Sequence, residues 1–184
     1  MGIDYDASTD LWSFACMAFE LITGDFLFNP RPGDNHKKND DHLALFMEML
    51  GPMPKKFAIQ GNMFDHYFMK NPKTGKYYFR RIHDLKPINL EEILIHRYFF
   101  KPKEAHMFAD FLMQILKWYP SDRPTAQKML SHPWLSMPDD YNYKMSDMEY
   151  KLYDLKEQAK KIDNFETDVN LLMENKANLA NHNM

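Results

Sequence analysis

The stretch Asp6–Phe28, DASTDLWSFACMAFELITGDFLF, decides how this chain folds. Ser8, Thr9 and Asp10 are residues that cap a helix N-terminus, and Gly24 is the residue type that ends one, so the stretch predicts a helix running to Thr23. Between these signals the run is too apolar for a helix lying on a surface, where one apolar stripe would suffice. Asp10 and Trp12 stand at its mouth. On these residues alone two readings stay open: the central helix of a small helical domain, or the middle of something larger.

The rest of the chain is helical in texture. Residues 29–41 hold prolines, a glycine and a run of polar residues, which makes a loop. A second helix is expected from near Asp40 to the Gly51-Pro52 stop, with Leu43, Phe46, Met47 and Leu50 on the helical period. Between 52 and 89 the reading is harder, and NPKTGKYYF predicts a short hairpin or an extended loop. Asn89 caps a helix over 90–98, Pro102 opens one whose apolar face is Phe108, Phe111, Leu112, Ile115 and Leu116, and Thr125 caps a short one. After PDDYNY, Ser146 and Glu149 fit a capping box. Met148, Leu152, Leu155, Ala159 and Ile162 follow it at alternating spacings of four and three, roughly continued by Phe165, Val169 and Leu172. That stripe suits either a tail helix packed on the domain or a short coiled coil with another chain.

Composition narrows the chemistry. With 184 residues, 45 % hydrophobic and 15 % aromatic, the chain can bury a sizeable core in one domain. A net charge of −3 gives no global basic field, so no direct nucleic-acid partner is expected. Cys16 is the single cysteine, which excludes an internal disulfide and is consistent with a reducing compartment. The first ten residues carry three aspartates and no apolar core, so they do not read as a signal peptide, and no apolar run is long enough to span a bilayer. The chain is therefore expected to be soluble and intracellular, with no membrane partner.

No self-contained catalytic signature emerges. Thr74-Gly75-Lys76 lacks the upstream glycine of a phosphate-binding loop, and Tyr77 stands where that loop has Ser or Thr. The eight histidines form no HExxH motif, so metal ligands are not expected. Cys16, inside an apolar helix, reads as a small hydrophobe rather than a nucleophile.

Two segments carry a resemblance. TDLWSFACMAFELITGDFLF is similar to the central helix of the large lobe of eukaryotic protein kinases, which begins with an Asp-x-Trp-Ser pattern, and LKWYPSDRPTAQKMLSHPWL resembles the closing segment of that lobe. Ala15 stands where most kinases place Gly. ACMAFE followed by TGDFLF and by NDDHLALFMEMLG resembles the SR-protein kinases, which phosphorylate serines in arginine/serine-rich splicing factors. The resemblance implies an all-α fold, the C-terminal part of a kinase large lobe over 1–136. A linker at 137–145, a tail helix at 146–175 and a disordered end at 176–184 are expected to follow.

The resemblance also assigns residues. It implies that Asp25, Asp41 and Glu48 line a groove for a basic docking segment of the substrate, with Arg97 at the same groove. On the residues alone, Asp41 as a helix cap and Glu48 as a solvated acid remain the alternative. Asp10, Trp12 and Arg123 are implied to be structural anchors: Asp10 holds the family's catalytic loop, and Arg123 pairs with a glutamate that closes the activation segment. Both partners would lie upstream of Met1, as would the Gly-rich loop, the strand lysine, His-Arg-Asp and Asp-Phe-Gly. Arg123 is thus expected to reach solvent or another acid, Asp122 being nearest in sequence. The implied parent enzyme uses Mg-ATP and acts in cytoplasm and nucleus. This chain alone is expected to be inactive, to need the N-terminal part of the kinase, and to self-associate or rearrange around 1–10 and 118–126.

Overall fold

The computed structural model describes residues 1–138 and 142–181, with side chains described to residue 168 except 163 and 166. Residues 139–141 of the expected linker, 182–184 of the expected disordered end, and the side chains of Val169 and Leu172 lie outside the described residues. The chain divides into two units, Met1–Tyr143 and Lys144–Met184.

The first unit is helical apart from one hairpin. Helix α1 spans Ser8–Thr23 and ends at Gly24, whose φ of 82° is the left-handed conformation that glycine adopts without a Cβ penalty. Its start lies just ahead of the caps the sequence suggested: the N-cap position is Ala7, Asp6 Oδ1 accepts a bond of 2.8 Å from the Ser8 amide, and Ser8 to Asp10 lie within the helix. Helix α2 spans Lys38–Leu50, and the Asp40 carboxylate reaches back to the Lys37 amide at 2.9 Å. Two single turns follow, α3 (Lys55–Ala58) and α4 (Phe64–Tyr67). Strands β1 (Phe68–Lys70) and β2 (Tyr77–Phe79) then pair antiparallel, with Phe68 opposite Phe79, Met69 opposite Tyr78 and Lys70 opposite Tyr77. Helices α5 (Leu90–His96), capped by Asn89 Oδ1 on the Glu91 and Glu92 amides, α6 (Pro102–Ile115) and α7 (Ala126–Met129), capped by Thr125, complete the unit.

Two apolar groupings hold it together. Phe108, Phe111, Leu112 and Ile115 on α6 are all fully buried, and they meet Leu94 of α5 and Ala15, Ala18 and Phe19 of α1 in the interior. Trp134 closes this core, its ring 4.6 Å from Phe108 and 4.7 Å from Phe111. Burying a side chain of this size contributes about 1.5–3 kcal/mol. The second grouping sets the inner face of α2 (Leu43, Ala44, Met47) against Phe68 and Phe79 of the hairpin and Tyr67 of α4. Alternation along each strand puts Phe68 and Phe79 on one face, and α2 covers that face.

The second unit is helix α8, Asp147–Asn181, which extends past the boundary at 175 read from the sequence. Its start is the capping box the sequence indicated: Ser146 Oγ accepts from the Glu149 amide at 3.3 Å, and Glu149 Oε2 accepts from the Ser146 amide at 2.7 Å. No described helix is long and apolar enough to cross a membrane.

Candidate functional site

The residues expected to dock a substrate sit at the ends of α1, α2 and α5. Asp25 follows the Gly24 stop, where the left-handed turn lifts the chain off α1. Its Oδ2 accepts from Arg97 Nη2 at 2.9 Å and from the Tyr98 hydroxyl at 2.8 Å, so the structure joins the expected acid and base directly. Tyr98 was not singled out by sequence reasoning, because nothing in the spacing of residues 25 and 98 signals contact. Burial and the bond to Asp25 push its phenol pKa upward. Phe19 steadies Tyr98 edge-on, with ring centroids 5.6 Å apart.

Asp41 and Glu48 lie two turns apart on α2 and share a face, as their spacing predicts. Each is held by a backbone amide from another segment. Asp41 Oδ2 accepts from the Arg31 amide at 2.7 Å, and Glu48 Oε1 accepts from the Lys86 amide at 2.9 Å. Asp41 therefore fastens the 29–37 loop rather than capping a helix, and Glu48 fastens the segment that leads into α5. The second oxygen of Asp41, Oδ1, lies 3.9 Å from His36 Nε2, and a carboxylate already held through one oxygen loses little rotamer freedom on binding a ligand through the other. Among the described residues no hydrogen bond or ion pair joins Asp25 and Arg97 to Asp41 or Glu48.

Beneath α2 lies a further pair. Asp40 is 1 % exposed and accepts from Arg81 Nη1 at 2.7 Å, which ties the start of α2 to the segment after β2. Burial alone would raise the Asp40 pKa, but the Lys37 amide and the Arg81 guanidinium prevail and hold it below the ordinary value. The pair links residues 41 apart in sequence, a separation that periodicity cannot read.

The anchors are rearranged relative to expectation. Arg123 does not pair with Asp122, whose carboxylate takes the Ser121 hydroxyl instead. Its guanidinium lies 5.1 Å above the Trp12 ring, donates to the Lys117 carbonyl through Nε and Nη2, and reaches the Ser8 carbonyl and hydroxyl at 3.4 Å. Half-burial lowers its pKa, and the charge of Asp6 opposes that shift. Helix-end carbonyls and an aromatic face thus replace a carboxylate partner, a contact of about 0.5–2 kcal/mol for the ring alone. Asp10 is exposed on the wall of a cavity of about 910 Å³, among Leu11, Phe14, Phe111 and Met129. Above it, Phe14, Met17 and Leu21 of α1 are 39 %, 49 % and 77 % exposed. They fall on one helical face, so α1 buries one side in the core and leaves the opposite side bare.

Among the described residues no group of three His, Cys, Asp or Glu side chains could hold a metal ion.

Known proteins resemble this chain over most of its length. The protein kinase domain family matches residues 2–135. SRSF protein kinase 3 of Homo sapiens is 38 % identical over 136 residues, 74 % of this chain and 23 % of that protein. Serine/threonine-protein kinase SRPK of Physarum polycephalum is 40 % identical over 136 residues, 74 % of this chain and 31 % of the relative. Protein kinase dsk1 of Schizosaccharomyces pombe is 38 % identical over 145 residues, 79 % of this chain and 26 % of the relative. The chain spans between about a quarter and a third of the length of these relatives, and the helix α8 lies beyond the family match. With the two-motif signature, the helical lobe and these relatives in agreement, the chain belongs to the protein kinase domain family, in its SR-protein kinase branch.

Proposed function

We propose that these residues form the base of the large lobe and the substrate-docking surface of a serine/threonine kinase that acts on arginine/serine-rich proteins in cytoplasm and nucleus. The observation that carries the reading is α2. It presents Asp41 and Glu48 from one face, each pre-oriented by a loop amide. Arginine forks pair with carboxylates through two charge-assisted bonds, so fixed acids select an Arg-rich segment geometrically as well as by charge. Asp25, already turned toward Arg97 and Tyr98, would exchange its cation for one from the substrate.

Mg-ATP would be held by the rest of the kinase domain. The bare face of α1 at Phe14, Met17 and Leu21, with the adjoining cavity at Asp10, suits contact with other elements of a kinase domain. The purified chain should not phosphorylate an Arg/Ser peptide in the presence of Mg-ATP, and measurable transfer would refute that part.

Fluorescence anisotropy with an Arg-rich peptide tests the docking surface. Asp41→Asn combined with Glu48→Gln keeps the acceptors for the Arg31 and Lys86 amides and removes only charge. Affinity should fall at least tenfold and depend less steeply on salt; an unchanged affinity would remove the docking reading.

A second reading, an interaction module that self-associates, is favoured by α8. Met148, Leu152, Leu155, Ile162 and Phe165 are 81 %, 54 %, 63 %, 59 % and 69 % exposed along a heptad-like stripe. Light scattering of the chain against a Leu152→Asp/Leu155→Asp variant distinguishes the two: a mass that halves supports pairing through α8.

A further inference from the structure

The net charge of −3 conceals a segregated surface. Between residues 55 and 86 the chain has eight Lys and Arg against two Asp. Here the hairpin β1–β2 projects Lys70, Lys73 and Lys76, all exposed, together with Tyr77 and Tyr78, each 38 % exposed. At its base is a pocket of about 350 Å³ walled by Met53, Ala58, Phe64, Phe68 and Tyr77, with Lys55 and Lys76 at its edge and no carboxylate in its lining. The Lys55 ammonium sits 5.2 Å over the Tyr77 ring.

The kind of anion follows from which donors are already used. The turn amides are occupied within the turn: Asn71 Oδ1 accepts from Lys73 and Thr74, the Asn71 carbonyl from Gly75, and Thr74 Oγ1 from Lys76. The guanidiniums are turned inward, Arg80 onto the Asp65 and Phe68 carbonyls and Arg81 onto Asp40. A phosphate-specific pocket needs backbone amides or arginine forks, and neither is available. What remains is exposed lysines around aromatic rings, the arrangement that tracks a phosphate backbone while bases stack on π-faces. We propose that the hairpin binds single-stranded nucleic acid without sequence preference, with Tyr78 on its outer face as the stacking platform and the exposed Lys70, Lys73 and Lys76 around it, while Tyr77, on the opposite face beside Phe64 and under Lys55, walls the pocket. This site is separate from the docking acids and does not depend on the kinase reading.

Fluorescence anisotropy of a labelled twelve-nucleotide oligouridylate, with oligothymidylate alongside, tests the proposal on the full 184-residue chain. Four phosphate contacts on a single strand give a log–log salt slope of about −2.8, so affinity should fall roughly fiftyfold from 50 to 200 mM salt. Lys70→Gln with Lys76→Gln should halve the slope, leaving about a sevenfold change. Tyr78→Ala should weaken binding roughly fivefold to a hundredfold, as loss of one stacked base does, and Tyr78→Phe should restore it. The lysines are exposed, so their substitution leaves the thermal melt unchanged and isolates binding from folding. No anisotropy change at 50 mM salt, or binding indifferent to these lysines and Tyr78, would overturn the site. So would capture of a phosphorylated Arg/Ser peptide, and not the oligonucleotides, with the same lysine dependence.

Discussion

Replacing Arg81 by alanine should destabilise the chain far more than any exposed ion pair. Asp40 is 1 % exposed and has two partners, the Lys37 amide at 2.9 Å and Arg81 Nη1 at 2.7 Å. Removing Arg81 leaves a buried carboxylate with one neutral donor, and breaking a buried pair in this way costs about 3–5 kcal/mol. For a chain of this size each kcal/mol moves the midpoint by about 2–4 °C, so Tm should fall roughly 6–20 °C. The exposed Arg97–Asp25 pair sets the contrast, because its side chains are 68 % and 49 % exposed and such pairs contribute about 0–1 kcal/mol. Urea unfolding followed by circular dichroism measures both. An Asp40→Asn/Arg81→Ala double variant should recover much of the loss, since asparagine still accepts from Lys37 and carries no charge to strand. The pH dependence has a definite sign. The Asp40 pKa is depressed below 3.8, so its contribution is present above that value and is lost as pH falls through the folded-state pKa. Arg81→Ala raises that pKa and moves acid unfolding to higher pH. If Arg81→Ala costs no more than Arg97→Ala, the buried-pair reasoning is wrong.

Two further outcomes test the electrostatics. Burial pushes the Cys16 thiol pKa up to about 11, so Cys16 should react slowly with a disulfide reagent at neutral pH and accelerate only as pH approaches that value; rapid labelling at pH 7 would show the thiol to be unshielded. Asp110 is held below its ordinary pKa of 3.8 by the bond from His132 at 3.1 Å, against the effect of burial. Its contribution is likewise present above 3.8 and lost on acidification, so Asp110→Asn should flatten the stability–pH curve in acid, and an unaltered curve would mean that the bond does not form in solution.

The arrangement of the proposed docking acids was partly legible. Asp41 and Glu48 stand seven apart on an amphipathic helix, and a helix puts such residues on one face whatever surrounds it. Their bonds to the Arg31 and Lys86 amides were not legible, because a loop amide carries no signature in sequence. Tyr98 beside Asp25 was missed for a related reason: the contact depends on where α5 ends relative to α1. The surroundings of Arg123 were not legible, since Asp122 adjoins it in the chain while the Trp12 ring and the Lys117 and Ser8 carbonyls adjoin it in space.

By itself the sequence determined the local elements and the family. The Gly24 stop, the Asn89 and Thr125 caps, the Ser146–Glu149 box and the Pro102 start all act within a few residues, through backbone groups that any such helix must satisfy. Only the tertiary structure decided which face of α1 is buried, that Asp40 is buried against Arg81, and that Lys55 and Lys76 edge a pocket with no carboxylate in its lining. The physical reason is that burial and charge pairing depend on distances between segments far apart in the chain. Periodicity and capping constrain only the neighbours within a turn.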